Sequence, residues 1–282
     1  MPNLMASPQP QPELEHLLSL LRECGSVLVC YSGGIDSAVV LAAATRALGQ
    51  HAIGMTAVSP SLPESERQDA ARIAGELGAE HRLVESAELL REGYAQNGPD
   101  RCFHCKSELY EIAEHKRQEW GLRFVLNGTN TDDLGDYRPG LEAAKQAGVR
   151  SPFLELGWSK ADVRAVAKQL GMREWDKPAA ACLSSRIPYG TTVTPERLAQ
   201  VDGFETELKA FGFRACRVRY HDKIARLELQ LEDLARMLQP EIREAVVKAG
   251  KTHGFTYITL DLAGYRTGSH NEVLQGRSLR IV

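Results

Sequence analysis

Ser26-Val-Leu-Val-Cys-Tyr-Ser-Gly-Gly-Ile-Asp-Ser37 decides how this chain is read. The first half is a short apolar run rich in β-branched residues, the profile of a strand buried on both faces of a parallel sheet. The run breaks at Ser32-Gly33-Gly34, and a helix is expected from about Ser37 to Leu48. Paired glycines let backbone approach a ligand closely. Ser32, Ser37 and the free N–H groups of the helix start can then hold phosphate oxygens. The string lacks the Gly-x4-Gly-Lys-Ser/Thr pattern that serves γ-phosphate chemistry, so another use of a nucleotide is indicated.

The pattern continues on both sides of this loop. Leu14, Leu17, Leu18, Leu20 and Leu21 form a helical face within Glu13–Cys24. Strands are expected at His51–Val58, Glu80–Glu85 and Arg123–Asn127, with helices at Glu64–Leu77, Cys102–Trp120 and Lys160–Leu170. Strands alternating with helices imply a parallel sheet covered on both faces. Thr56–Ser59 and Gly128–Asp133 end two of the strands, where an open α/β sheet meets its ligand. Beyond Pro195 the rhythm becomes helix, strand, strand, helix, strand: Pro195–Phe211, Ala215–Tyr220, Ile224–Gln230, Pro240–Ala249 and Phe255–Asp261. The expected architecture is an α/β domain followed by a smaller α+β domain. Residues 1–13 read as a flexible N-terminal tail, residues 14–190 as the first domain and residues 191–282 as the second.

Composition narrows the function classes. With 282 residues, a net charge of −3, 25% charged and 43% hydrophobic residues, the chain is neither disordered nor fibrous. No apolar run approaches the roughly 18 residues of a membrane helix, and Met1–Glu13 has no signal pattern. A mildly acidic balance offers no nucleic-acid signature. The reading therefore expects a small-molecule substrate, with neither nucleic acid nor membrane as partner. Six cysteines are too few for a disulfide scaffold, which points to a reducing, cytoplasmic compartment.

Those cysteines divide into two sets. Cys24, Cys30 and Cys216 occupy core positions of helices and strands, where a thiol acts as a small hydrophobe. Cys102 and Cys105 form Cys-Phe-His-Cys at a helix start, which favours thiolates on one shared face. Cys182 lies in a loop of small and polar residues near Arg186, a setting for a nucleophile. Three such cysteines can hold three irons of a 4Fe-4S cluster and leave one iron open. With His104 the same three could bind zinc tetrahedrally. Spacing does not choose between the two.

The loop resembles the PP-loop of the ATP pyrophosphatase superfamily, Ser-Gly-Gly-x-Asp-Ser. That resemblance implies cleavage of ATP between its α and β phosphates, with the residue matching Asp36 beside the metal–pyrophosphate. Further along stand Asp136-Tyr-Arg-Pro-Gly-Leu141, Ser184-Ser-Arg-Ile-Pro-Tyr-Gly-Thr191, Arg217-Val-Arg219, Ile224-Ala-Arg-Leu-Glu228, Thr259-Leu-Asp-Leu262 and Gly264-Tyr-Arg266. In this order they resemble the LarE family of ATP-dependent sulfur transferases over nearly the whole chain after residue 14. The resemblance implies a PP-loop ATP pyrophosphatase (adenine nucleotide alpha hydrolase-like) first domain. It also implies adenylation of a carboxylate of pyridinium-3,5-biscarboxylic acid mononucleotide and its conversion to a thiocarboxylate, in making the nickel-pincer nucleotide cofactor of lactate racemase.

Residue by residue, the family implies that Ser32, Gly33, Gly34, Asp36, Ser37 and Thr56 serve ATP and Mg2+. Ser185, Arg186, Arg217 and Arg219 then serve the substrate, and Glu205 and Glu228 a metal or the substrate. One form of the family gives up sulfur from its own cysteine, becoming dehydroalanine. Members with three cysteines use a 4Fe-4S cluster carrying an extra sulfide, and Cys102, Cys105 and Cys182 favour that type here. A homo-oligomer, a hexamer, is also implied. The rival reading is a PP-loop tRNA 2-thiolation enzyme, which should bring a nucleic-acid-binding addition. Amide-forming ligation would leave the three cysteines without a task, and a non-enzymatic nucleotide-binding module would bind ATP without releasing pyrophosphate.

Overall fold

In the computed structural model, residues 12–135, 139–173, 175, 181–266 and 269–274 are described. The N-terminal stretch 1–11, Asp136–Arg138 of the motif named above and Lys177–Ala180 of the cysteine loop lie outside them. In chain order the elements are α1 (Pro12–Cys24), β1 (Val27–Cys30), α2 (Ile35–Leu48), β2 (Ala52–Val58), α3 (Glu64–Glu76), β3 (Glu80–Glu85), α4 (Glu92–Ala95), α5 (Arg101–Glu119) and β4 (Phe124–Leu126). They continue as α6 (Pro139–Gln146), α7 (Pro152–Glu155), α8 (Lys160–Gln169), α9 (Pro195–Ala210), β5 (Cys216–His221), β6 (Ile224–Leu229), α10 (Leu234–Met237), α11 (Pro240–Thr252) and β7 (Tyr257–Leu260). α1 begins at Pro12, within the stretch read as tail. Proline suits a first helical turn, and Glu13 and Glu15 complement the helix dipole there.

The first unit carries a parallel sheet of order β3-β2-β1-β4. Val27 lies opposite Ala52 on one side and Phe124 on the other. Strand alternation sends Val27 and Val29 into a core with Leu14, Leu17, Val39 and Val163. Leu28 points the other way, into a core with Ile53, Met55, Ala113 and Val125. The central strand is therefore apolar throughout because both of its faces are covered. Each fully buried leucine of the first core contributes about 1.5–3 kcal/mol. Alanines at 38, 42, 43 and 44 let α2 bury nearly its whole circumference.

Pro60–Ser65, Leu89–Arg101 and the chain from Ala181 onward form a second unit. Its sheet pairs β5 antiparallel to β6, and β6 parallel to β7. α9 starts at a Thr194 cap and buries Leu198, Val201, Phe204 and Leu208. The sequence reading carried the first domain through residue 190, whereas residues 181–190 pack with the second unit. Backbone hydrogen bonds explain this. Leu183 N–H donates to Ser61 O at 2.9 Å, Gly190 N–H to Asn97 O at 3.0 Å and Val193 N–H to Ala95 O at 2.9 Å. The Asn97 amide nitrogen donates to the carbonyls of Ile187, Pro188 and Thr191 at 3.2, 2.8 and 3.0 Å. Asn97 holds φ at 57°, a left-handed geometry that asparagine tolerates better than most residues. Among the described residues no helix is long and apolar enough to cross a membrane.

Replacing Asn97 with Ala leaves these buried carbonyls short of a donor. The variant should lose about 2–4 kcal/mol of stability, read as a lower urea midpoint. An unchanged midpoint would mean that this clamp does not hold the loop.

Candidate active site

Tyr31 N–H donates to Met55 O at 2.8 Å, so the sheet fixes the chain up to the edge of the loop. Gly33 then turns with φ at 76°, and a Cβ there would lie 3.0 Å from the Ala70 Cβ. Gly34 caps α2 without a side-chain hydrogen bond, which keeps helix-start N–H groups for an anion. Ser37 Oγ accepts from Ser32 N–H at 3.2 Å and donates to Gly34 O at 3.0 Å, closing the loop on itself. Gly128, just after β4, comes so near that a Cβ would stand 2.7 Å from Asp36 C and Ser37 N. Ser32, Gly33, Gly34, Asp36 and Ser37 are thus gathered on one cradle.

Lys160 and His81, two residues without a distinctive sequence signal, help to shape this cradle. Lys160, the first residue of α8, places Nζ against both carboxylate oxygens of Asp36. Thr56 is buried; its hydroxyl donates to Tyr31 O at 2.7 Å and meets His81 Nε2 at 2.8 Å. The single hydroxyl proton goes to the carbonyl, so His81 Nε2 is the donor. Burial holds His81 below its ordinary pKa. Thr56 therefore supports the loop from beneath. Thr131 Oγ1 donates to Trp158 O, and Asn130 N–H to Asp133 Oδ2, so Gly128–Asp133 is held both from within and by the chain before α8.

Cys102 is exposed and Cys105 half-buried in the first turn of α5, within this same unit. Burial pulls the Lys106 ammonium down, but Tyr110, Cys105, Cys30 and Cys102 outweigh it and leave its pKa raised. Burial pushes the thiols of Cys30 and Cys216 up to about 12, as packing positions require.

The second unit holds Cys182, Ser185, Arg186, Glu205, Arg217, Arg219 and Glu228. Half-buried Cys182 begins the 3-10 turn Leu183–Arg186. Its carbonyl accepts from Ser185 N–H at 3.0 Å, Ser185 Oγ at 2.8 Å and Arg186 Nη1 at 3.2 Å. Arg186 forks onto Glu205 at 2.8 and 3.0 Å, and Glu205 also accepts from Val218 N–H at 2.9 Å. Arg219 forks onto Glu228 at 2.9 and 2.8 Å and donates to Ser185 O at 2.7 Å. The acidic pair expected to meet a metal or substrate is buried, with both carboxylates committed to guanidinium donors.

Arg217 differs from its neighbours. It is buried, donates to Arg266 O at 3.0 Å and stacks 4.3 Å above the Tyr265 ring. No carboxylate pairs with it among the described residues. Burial, the first cause, and the charges of Arg219 and Arg186 depress its pKa against the raising effect of Tyr265 and Glu228. Arg101, Tyr94 and Asn97, outside the expected site, underlie the same region: Arg101 donates to Ser184 O at 2.8 Å, and the Tyr94 hydroxyl meets Ser184 Oγ at 2.5 Å. Among the described residues no three Cys, His, Asp or Glu side chains are gathered as a metal site.

An asparagine synthase family model matches residues 19–96, which include the cradle. An uncharacterized Synechocystis protein is 42% identical over 264 residues, covering 94% of this chain and 98% of its own. A pyridinium-3,5-bisthiocarboxylic acid mononucleotide synthase from Lactiplantibacillus plantarum is 38% identical over 259 residues, covering 92% of this chain and 93% of its own. The chain belongs to the LarE family. This LarE-family chain is an ATP-dependent, sulfur-transferring enzyme. A probable tRNA sulfurtransferase from Methanothermobacter thermautotrophicus is 27% identical over 191 residues, which span only 48% of its length.

Gly128→Ala tests the cradle. The added methyl forces backbone at Asp36 and Ser37 aside, so ATP affinity should fall at least about tenfold with little change in helical content. Titration calorimetry beside circular dichroism checks this; wild-type affinity would place the nucleotide elsewhere.

Proposed function

We propose that this enzyme adenylates a carboxylate of pyridinium-3,5-biscarboxylic acid mononucleotide and replaces the activated oxygen with sulfur, in making the nickel-pincer nucleotide cofactor. The observation that carries the substrate reading is Arg217. A buried guanidinium without a carboxylate is costly unless an anion joins it, and the mononucleotide brings a phosphate and carboxylates.

Ser32, Gly33, Gly34, Ser37 and the open start of α2 hold ATP phosphate oxygens. The Asp36 carboxylate already faces the Lys160 ammonium, and its hard oxygen donors fit Mg2+. Mg2+ bound there supplies charge neutralisation at the phosphates. The substrate carboxylate attacks the α-phosphorus and pyrophosphate leaves, giving an acyl adenylate. Lys160 and the cradle N–H groups stabilise the departing charge. Sulfur then displaces AMP from the acyl carbon, giving the thiocarboxylate.

We assign Cys102, Cys105 and Cys182 as the thiols of a 4Fe-4S cluster, to which their soft donor chemistry is suited. Such a cluster, when bound, supplies the transferable sulfide. The alternative donor is Cys182 itself: its sulfur attacks the acyl carbon, AMP leaves, and loss of the Cα proton with cleavage of Cβ–S leaves dehydroalanine. Glu205 and Glu228 orient Arg186 and Arg219. Arg186, Arg219 and Ser185 accompany Arg217 at the substrate. The cytoplasm and a homo-hexamer complete the reading; light scattering tests the latter.

Anaerobic protein given ATP, Mg2+ and the biscarboxylate mononucleotide should release pyrophosphate and form thiocarboxylate. No pyrophosphate would sink the reaction. Cys102→Ala or Cys105→Ala should keep adenylation and lose multiple turnover. Intact-protein mass lower by one hydrogen sulfide would assign sulfur to Cys182 instead. Thiolated tRNA with an inert mononucleotide would favour the tRNA reading.

A further inference from the structure

His270, in the 3-10 turn Ser269–Leu274, stands within the arginine group of the second unit. Its ring lies 4.2 Å from the Tyr189 ring, and Arg101 reaches over the other partner of that pair, 5.9 Å from Tyr189. Ser269 beside it accepts from Arg219 Nη2 at 2.6 Å and donates to Glu228. Arg217 is tied to the same stretch of chain through Arg266 O. His270 Nε2 is enclosed and has no hydrogen-bond partner among the described residues. An enclosed polar atom without a hydrogen-bond partner is costly.

We propose that His270 Nε2 is a direct ligand of a phosphoryl group held by Arg217 and Arg219, which makes His270 a specificity-determining residue of the substrate site. The assignment rests on the sulfur-transferase reading above for the choice of substrate. A phosphoryl group satisfies two needs together: it offers an acceptor to Nε2–H and a counter-charge to Arg217. A lysine here would add another cation, whereas a neutral imidazole donates without adding charge. Burial first, then the charges of Arg101, Arg219, Arg217 and Arg186, push the His270 pKa down to about 3. Glu228 and Glu205, the acidic groups nearby, are bound to Arg219 and Arg186. A dianion arriving beside the ring offsets part of that depression, so the pH at which His270 titrates rises as the ligand binds while the ring stays a neutral donor near neutral pH.

Side-chain NMR of the 15N-histidine-labelled full chain tests this with four probes: the biscarboxylate mononucleotide, its nucleoside lacking the phosphate, inorganic phosphate and pyrophosphate. The mononucleotide should raise the pH at which His270 titrates by roughly two pH units, and the nucleoside should leave it in place. A response to phosphate or pyrophosphate without one to the mononucleotide would keep the phosphoryl site but assign it to the free anion. Silence with every probe would overturn it. His270→Ala should raise KM for the mononucleotide about tenfold with kcat within about twofold, and His270→Gln, which retains an N–H donor, should recover most of the loss. Equal KM in all three proteins would also overturn the assignment. Pyrophosphate release measured alongside separates the two readings. Release with a silent His270 removes only this ligand; a responsive His270 without release removes the reaction.

Discussion

The buried pair of Arg186 and Glu205 is the constraint on which the second unit's functional segment depends. Arg186 places one fork on the Glu205 carboxylate and turns its remaining nitrogen to the carbonyls of Ala181 and Cys182. Glu205 in turn accepts from Val218 N–H, between Arg217 and Arg219. One ion pair therefore joins the loop carrying the cysteine to α9 and to the strand carrying two further arginines. Burying such a pair brings little net stability, because desolvation offsets the attraction, but removing one partner is costly. Its value lies in position: the Cys182 backbone is set by three donors, and the adjoining strand is set by the same carboxylate.

Much of the fold was legible because its elements carry simple periodicities. Val27–Val29 reads as a doubly covered strand, and the leucines of α1 repeat at helical spacing; both are found as expected. The loop between β1 and α2 was legible because glycine and serine are required where phosphate meets backbone. The short helices α4, α6 and α7 were not, since four to eight residues give periodicity little room. Nor does a pattern along the chain show that Leu89–Arg101 joins the later unit. That placement comes from Asn97 meeting carbonyls about ninety residues away.

The candidate site was legible in its residue types and less so in their pairing. Glu205 and Glu228 stood out as acidic positions, but the 19 residues between Arg186 and Glu205 follow no helical or strand rule, and Glu228 meets Arg219 diagonally across β5 and β6, a pairing that needs the strand register. Lys160 opens a helix far from the loop it serves, and His81 is one polar residue in a half-buried strand. Such partners become visible only when topology brings two strand or helix ends together. Sequence locates the groups that do chemistry more readily than those that hold them in the right ionisation and orientation.

The six cysteines show how environment completes what composition leaves open. A thiol reacts through its thiolate, so burial in apolar surroundings makes it inert. Cys30 and Cys216 are raised to about 12, and burial also raises Cys24, whose Sγ takes a donor from Arg150 and gives one to Leu20 O. Raised in this way, these three carry less thiolate near neutral pH than an ordinary cysteine does. Cys102, Cys105 and Cys182, to which we assign the sulfur chemistry, stand at a helix start and at the head of an arginine-held turn.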